Sequence, residues 1–473
     1  MTNAHSTHQL LYSALHGPDN QPACSSTFHF IDPHSFRRRQ RYESSDEFYD
    51  ADEELEEPPL SPMAAVAISV QPADSEADPS DVEEDQELHE DDDASSGVAQ
   101  NRSIIMHMLS QARVGMDLTR ITLPTFILEK RSLLEMYAEF FAHPDLFASI
   151  PDNSDPRERI IAIARYYCSA FHAARKGAVA KKPYNPILGE TFRCYWDLPG
   201  GRRNAPDDDS KRLIQSGPVP YASYSSVAFV AEQVSHHPPV SGFYAECIPK
   251  RMYVNGSIYT KSKFLGLSLG VHHIGSVRLC LMDYGEEYRV NLPNAYARSI
   301  LTVPWLELGG KCHIECLQNG YTADVEFHCK PFYGGRKHRI TCNVNHTSER
   351  KPLLKVEGEW NGVMHIKHPN GEQEVFFDTI NTPTVKKKLQ KVSAQDPGES
   401  RRRWQRVTEA LFSKDIEEAT DAKHELEEKQ RADARQRQES GVEWKQQFFH
   451  LEGDTWIYNT PLSSRTRTSK RHI

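Results

Sequence analysis

The chain has 473 residues, a formal net charge of −10, nine scattered cysteines and no apolar run long enough for a membrane-spanning helix. An odd number of cysteines without a framework pattern fits a reducing compartment better than a disulfide-stapled secreted scaffold. The opening MTNAHSTHQLLYSALHG lacks the basic and apolar regions of a secretory leader, so the expected location is the cytosol.

The charge is unevenly placed. Residues 1–100 hold 23 acids against four arginines, which leaves a net of +9 for the remainder. Like charges with few large apolar residues bury too little surface to offset chain entropy, so 1–100 reads as a disordered acidic tail. Within it, Glu47, Phe48, Tyr49, Asp50, Ala51, Asp52 and Glu53 set two adjacent aromatics among acids. The basic remainder suits nucleic acid or an anionic membrane surface. Nucleic acid is not expected, because no zinc-finger spacing, helix-turn-helix or RNA-binding strand pattern is found.

After the tail, RSIIMHMLSQARVGM puts Ile105, Met108, Leu109, Ala112 and Met116 at helical spacing. LTRITLPTFILEK then reads as extended. DPRERIIAIARYYCSAFHAAR is a stronger helix, with Ile160, Ile161, Ala164, Tyr167, Cys168 and Phe171 on one face. From about 190 to 390 the period changes to two, with many short strands and turn punctuation, as in a barrel or sandwich. Three Asn-Gly pairs, in YVNGSIYTKSKF, LQNGYTADVEF and HPNGEQEVFF, signal hairpin turns. Beyond Lys386, Lys387 and Lys388, a charged helical tract runs from about 400 to 440.

Hydrolytic and metal chemistry find little footing. GLSLG (266–270) matches a nucleophile elbow, but the residues after Ser268 read as strand where that motif needs a helix. Cys312 and Cys316 lie roughly 13 Å apart along a strand, too far for one zinc. Ser235 and His236 are neighbours on extended backbone and point to opposite faces, so they do not make a nucleophile–base pair.

Three stretches suit anion binding. In EQVSHHPP (232–239), Pro238 and Pro239 break strand pairing and hold His237 extended, forming a rim that presents imidazoles. Partial protonation near pH 7 would favour phosphate there. KKPYNPILGETF (181–192) is a second proline-stiffened loop, carrying Lys182 and Asn185. AKHELEEKQR places Lys423, Glu427 and Arg431 on one helix face, as cation, carboxylate and cation.

Together these motifs resemble the oxysterol-binding-protein-related lipid-transfer family, with EQVSHHPP the most specific of them. LTVPWLELGGK and KPFYGGRKHRIT look like further family segments. The resemblance covers about 100 to 460 and in detail is similar to the branch containing members nine and ten. It implies a mainly β fold, an incomplete antiparallel barrel around an apolar lipid tunnel. An N-terminal lid (101–117) would cover the tunnel through Ile104, Ile105, Met108, Leu109 and Met116. Helices are expected at about 132–177 and 400–440, with 461–473 a tail. By motif matching, Lys182, Asn185, His236, His237, Lys423 and Arg431 would hold the phosphates of phosphatidylinositol 4-phosphate, with Glu427 orienting the two flanking cations.

The resemblance also implies a non-enzymatic exchanger without a cofactor or metal. It would swap that phosphoinositide for a sterol or phosphatidylserine between the endoplasmic reticulum and Golgi or endosomal membranes; the alternative is a lipid sensor or membrane-contact tether without net transport. The acidic tract 47–53 resembles the motif that binds VAP proteins of the endoplasmic reticulum, with Tyr49 in place of a second phenylalanine. Long members of the branch begin with a pleckstrin-homology domain; 1–100 is expected to be too short and polar for one. Further expected contacts are anionic membranes and a sibling member paired through the C-terminal helical tract.

Overall fold

Alternating apolar residues between 190 and 390 build one large antiparallel sheet, and the helices on either side of it in sequence close its open side. The computed structural model describes residues 81–85, 114, 116, 125–174, 180–198, 217–300, 303–331, 333–368 and 370–468. All of these belong to one compact unit, Ala73–Ile473. The acidic tract 47–53 and lid residues Ile104, Ile105, Met108 and Leu109 lie outside the described residues.

β1 (Val82–Glu84) and β2 (Leu128–Ser132) precede α1 (Leu133–Ala138), α2 (Pro144–Ser149) and α3 (Pro156–Ala170). β3 (Lys182–Tyr184) leads into β4 (Thr191–Asp197), β5 (Ser226–Ser235), β6 (Val240–Cys247), β7 (Met252–Phe264) and β8 (Ser268–Leu281). β9 (Glu286–Val290), β10 (Asn294–Arg298), β11 (Trp305–Cys316), β12 (Tyr321–His328) and β13 (Arg339–His346) follow. β14 (Leu354–Glu359), β15 (Val363–Lys367), β16 (Gln373–Asp378) and β17 (Lys388–Gln390) complete the run. α4 (Ser400–Arg403), α5 (Gln405–Phe412) and α6 (Ile416–Ser440) come next, then the hairpin β18 (Phe449–Glu452) and β19 (Thr455–Tyr458), and finally α7 (Leu462–Thr468).

Among the described residues, fifteen strands share the sheet in the order β1-β17-β4-β5-β6-β7-β8-β10-β11-β12-β13-β14-β15-β16, with β9 bridging β8 and β11. The path is open, yet the sheet curls. Phe141 packs on Trp196 of β4 and Phe229 of β5, with ring centroids 6.1 and 5.7 Å away. His143, two residues on, packs on Phe377 of β16 at 5.3 Å. Strands near opposite ends of the path thus meet the same helical corner, as an incomplete barrel requires.

α3 forms as its sequence dictates. Asp155 caps it by accepting from the Arg157 amide, Pro156 sits at the first turn, and Ile160, Ala164, Tyr167, Cys168 and Phe171 are buried. Arg159 fixes the helix to β9 through a two-pronged ion pair with Glu286, at 2.6 and 2.8 Å.

Two of the three Asn-Gly pairs turn the chain. Gly320 and Gly371 adopt positive φ between β11 and β12 and between β15 and β16. The third, Asn255-Gly256, lies inside β7. A side chain at Gly256 would have its Cβ 2.2 Å from the Phe243 ring. Asn255 donates to the Trp456 carbonyl at 2.8 Å and accepts from the Tyr458 amide at 2.9 Å. Here the pair serves packing and docking of the β18–β19 hairpin instead of a turn.

Both expected tails need correction. Asp81–Asp85, counted with the acidic tail, holds an added strand in which Val82 pairs with Gln390 and Glu84 with Lys388. The segment docks because Asp85 reaches buried cations. Its carboxylate and those of Glu135 and Glu139 have oxygens within 4.8 Å of one another, and the charge among them is the Lys387 ammonium. Lys387 lies 2.7 Å from Asp85, 3.3 Å from Glu135 and 2.6 Å from Glu139. Arg401 pairs with Asp85 and Glu135. At the other end, α7 falls in the expected 461–473 tail, yet it is anchored. The Leu462 amide donates to the Tyr244 hydroxyl at 2.8 Å, and Arg465 pairs with buried Glu246.

Candidate functional site

The EQVSHHPP stretch ends β5 and turns into β6. Ser235 pairs with Val240, so His236, His237, Pro238 and Pro239 form the turn between them. The rim is tighter than expected: the pairing of Ser235 with Val240 confines the two histidines to a tight reversal, and the His237–Pro238 peptide is cis. The rings of His236 and His237 meet edge to face at 4.6 Å. His237 is exposed and His236 half-buried, with its Nδ1 buried and unpartnered among the described residues.

The electrostatics of His236 also differ from expectation. Burial, then His237, push its imidazole down to about 4, against the opposing pulls of the Pro186 carbonyl and Glu427. At pH 7 the resting ring is neutral, its one N–H facing the Pro186 carbonyl, so it donates to an anion as well only on taking up a proton. Partial protonation is not how this histidine is poised in the unliganded protein.

The second loop is organised by a residue to which the sequence reading gave no role. Glu190 is fully buried and accepts four hydrogen bonds: from Ser132 Oγ at 2.5 Å, Ser400 Oγ at 2.7 Å, Trp404 Nε1 at 2.8 Å and the Ile187 amide at 3.0 Å. Those bonds tie β2, α4 and the loop to one carboxylate. Beside it Tyr184 stacks on Trp404, with centroids 4.5 Å apart. An acid between a glycine and a strand of buried residues was the available signal.

α6 lies against this loop. Asp415 caps it by accepting from the Glu418 amide, and Ala419, Ala422 and the partly buried Leu426 form its apolar stripe. Ala422 and Leu426 join Leu128, Tyr184, Trp404 and Val407 in one small core. The next positions round the helix are Lys423 and Glu427, which pair at 2.6 Å. Lys182 is exposed, yet crowded enough that its ammonium is pulled below its ordinary value, first by desolvation, then by repulsion from Lys423, with Glu427 opposing.

Lys182, His236, His237, Lys423 and Glu427 are therefore brought together by three separate stretches of chain. Asn185 is exposed three residues after Lys182, and Arg431 is exposed one turn beyond Glu427. Two ammonium groups beside one carboxylate, next to the His236 and His237 rings, form a cradle short of negative charge. A multiply charged anion relieves that repulsion and accepts charge-assisted hydrogen bonds. Of the lid residues, Met116 is described: its carbonyl accepts from the Phe264 amide at 3.0 Å, at the end of β7.

Glu232, within the same signature, was likewise missed. It is buried and accepts from the Gln447 and Phe448 amides, both at 2.8 Å, holding the segment that leads into β18. Cys312 and Cys316 are core residues of β11, and Ser268 opens a strand, as their sequence contexts suggest.

A curled antiparallel sheet with an anion-seeking cradle beyond a strand end defines a β-barrel binding protein. The oxysterol-binding protein family profile matches residues 106–467, and the chain belongs to that family. Its members bind and transfer lipids and are not enzymes. The chain is 48% identical over 484 residues to human oxysterol-binding protein-related protein 9, covering 96% of this chain and 64% of the relative. It is 52% identical over 365 residues to human oxysterol-binding protein-related protein 10, covering 76% and 48%. The chain thus spans between about half and two thirds of these relatives' lengths. The fold is similar to the Osh1 ORD domain solved with cholesterol, with a TM-score of 0.57 and 24% identity over 77% of this chain and 88% of that one. It is also similar to the Osh3 ORD of Saccharomyces cerevisiae solved with PI(4)P, with a TM-score of 0.55 and 19% identity over 78% and 92%.

Proposed function

We propose that this chain is a lipid exchanger that holds phosphatidylinositol 4-phosphate by its headgroup and carries a second lipid in the return direction. The observation that carries the reading is the Lys423–Glu427 ion pair with Lys182 close by and the His236–His237 ring pair beside it. Asn185 and Arg431 would complete the headgroup contacts. Family membership and relatives of the fold solved with a phosphoinositide and with cholesterol support a lipid cargo. The second cargo is a sterol or phosphatidylserine. The route would run from the endoplasmic reticulum, reached through docking of 47–53 on VAP, to a Golgi or endosomal membrane.

Mass spectrometry of lipids that co-purify with the chain from cells tests the reading. The expected result is the phosphoinositide together with one second lipid class. Recovery of the phosphoinositide alone would favour a sensor or tether, and recovery of neither would overturn the assignment.

A further inference from the structure

The β7–β8 hairpin carries a surface that the headgroup cradle does not use. Its register places it beside the cradle: the Thr260 amide donates to the Pro239 carbonyl at 3.3 Å, at the end of the histidine turn. β7 then runs on from Thr260 to Phe264, roughly 13 Å at strand rise, so the hairpin overhangs the turn on the same end of the sheet. A second connection agrees. The Ile300 amide donates to the Leu267 carbonyl, and the Ala180 amide donates to the Pro304 carbonyl two residues before Lys182.

The overhang has a consistent pattern. Phe264 is buried on one face, and Lys261 and Lys263 alternate onto the other, half-exposed. The tip is a tight turn in which the Leu265 amide donates to the Ser268 carbonyl at 2.8 Å and Gly266 has φ +82°. It presents Leu265, 39% exposed, and Leu267, 64% exposed, to solvent. Two leucines on a narrow ribbon are too small for a specific protein interface, which needs on the order of 1,000 Å² or more. An apolar tip backed by lysines instead matches a bilayer with anionic headgroups, where leucine enters the interface and ammonium meets phosphate or carboxylate.

We infer that Leu265 and Leu267 dip into the surface of an anionic membrane while Lys261 and Lys263 touch its headgroups, setting the cradle against the bilayer. The inference rests on the lipid-carrier reading and gives that carrier its membrane-facing side.

The test is co-sedimentation of the full chain with phosphatidylcholine vesicles, with and without phosphatidylserine and free of phosphoinositide. Leu265→Ser/Leu267→Ser should lower partitioning on the order of tenfold. Lys261→Glu/Lys263→Glu should lower it by roughly fivefold or more for each lysine, and only on anionic vesicles. Both variants should bind water-soluble short-chain phosphatidylinositol 4-phosphate as the unmodified chain does. Equal sedimentation of the leucine variant and the unmodified chain would overturn the inference. So would self-association that the leucine variant abolishes, which would assign the tip to a second copy of the chain. An unmodified chain that binds the soluble phosphoinositide but no vesicle would overturn this surface and leave the carrier reading standing. Vesicle binding without soluble phosphoinositide binding would do the reverse.

Discussion

Alanine at both His236 and His237 is expected to weaken binding of phosphatidylinositol 4-phosphate by about 10²- to 10⁴-fold, since each charged hydrogen bond contributes roughly 1.5–3 kcal/mol. The fold should survive, because one ring is exposed, the other half-buried, and the turn's pairing is made by Ser235 and Val240. Titration calorimetry with a short-chain lipid reads the affinity, and thermal unfolding checks the fold. The same histidines predict a pH signature. In the free protein the His236 ring titrates near pH 4, because burial and His237 disfavour its charged form. Bound phosphate favours that form, so the midpoint should rise when the lipid is added. A free-protein midpoint near 6.5 in a nuclear magnetic resonance titration would mean that burial and His237 do not hold the ring neutral.

Replacing Lys387 by methionine should cost roughly 3–5 kcal/mol of stability, because it strips the shared cation from Asp85, Glu135 and Glu139 and leaves buried carboxylates underpaired. Burial alone would push the Lys387 ammonium down, yet Glu139, Glu135 and Asp85 hold it above its ordinary value. Burial likewise opposes the charge on Glu135, but Arg401 and Lys387 hold its carboxyl down at about 2. A depressed carboxyl contributes stability that is full above its unfolded value of 4.5 and is lost as pH falls toward about 2. That acid-side loss should shrink in the variant, since Glu135 then keeps Arg401 as its nearest cation. Urea unfolding at neutral and acid pH measures both effects. A neutral-pH loss under about 1 kcal/mol would show that Arg401 suffices alone.

What was legible in the sequence follows the range of the forces involved. The α3 stripe and the turns at Gly320 and Gly371 depend on neighbours within a few residues, and the chain shows them directly. The three anion-seeking stretches could be read because each is a short motif, although their meeting is a product of the fold. Asn255-Gly256 misled because a strong local turn signal yielded to β7 pairing and to the Phe243 ring. Asp81–Asp85 and α7 were hidden because their partners, Lys387 and Tyr244, lie hundreds of residues away in the chain. The charge state of His236 was equally hidden, because neutrality there comes first from burial in the folded protein, which no local pattern encodes, with His237 adding to it against the pull of the Pro186 carbonyl.

The measurement that tests the central claim most directly is lipid exchange between two vesicle populations. Labelled phosphatidylinositol 4-phosphate is placed in the donor, and a sterol or phosphatidylserine in the acceptor. An exchanger built on this cradle should move the phosphoinositide to the acceptor, move it faster when the second lipid is present there, and lose both activities in His236→Ala/His237→Ala. Firm binding of the phosphoinositide with no net movement between vesicles would contradict the account.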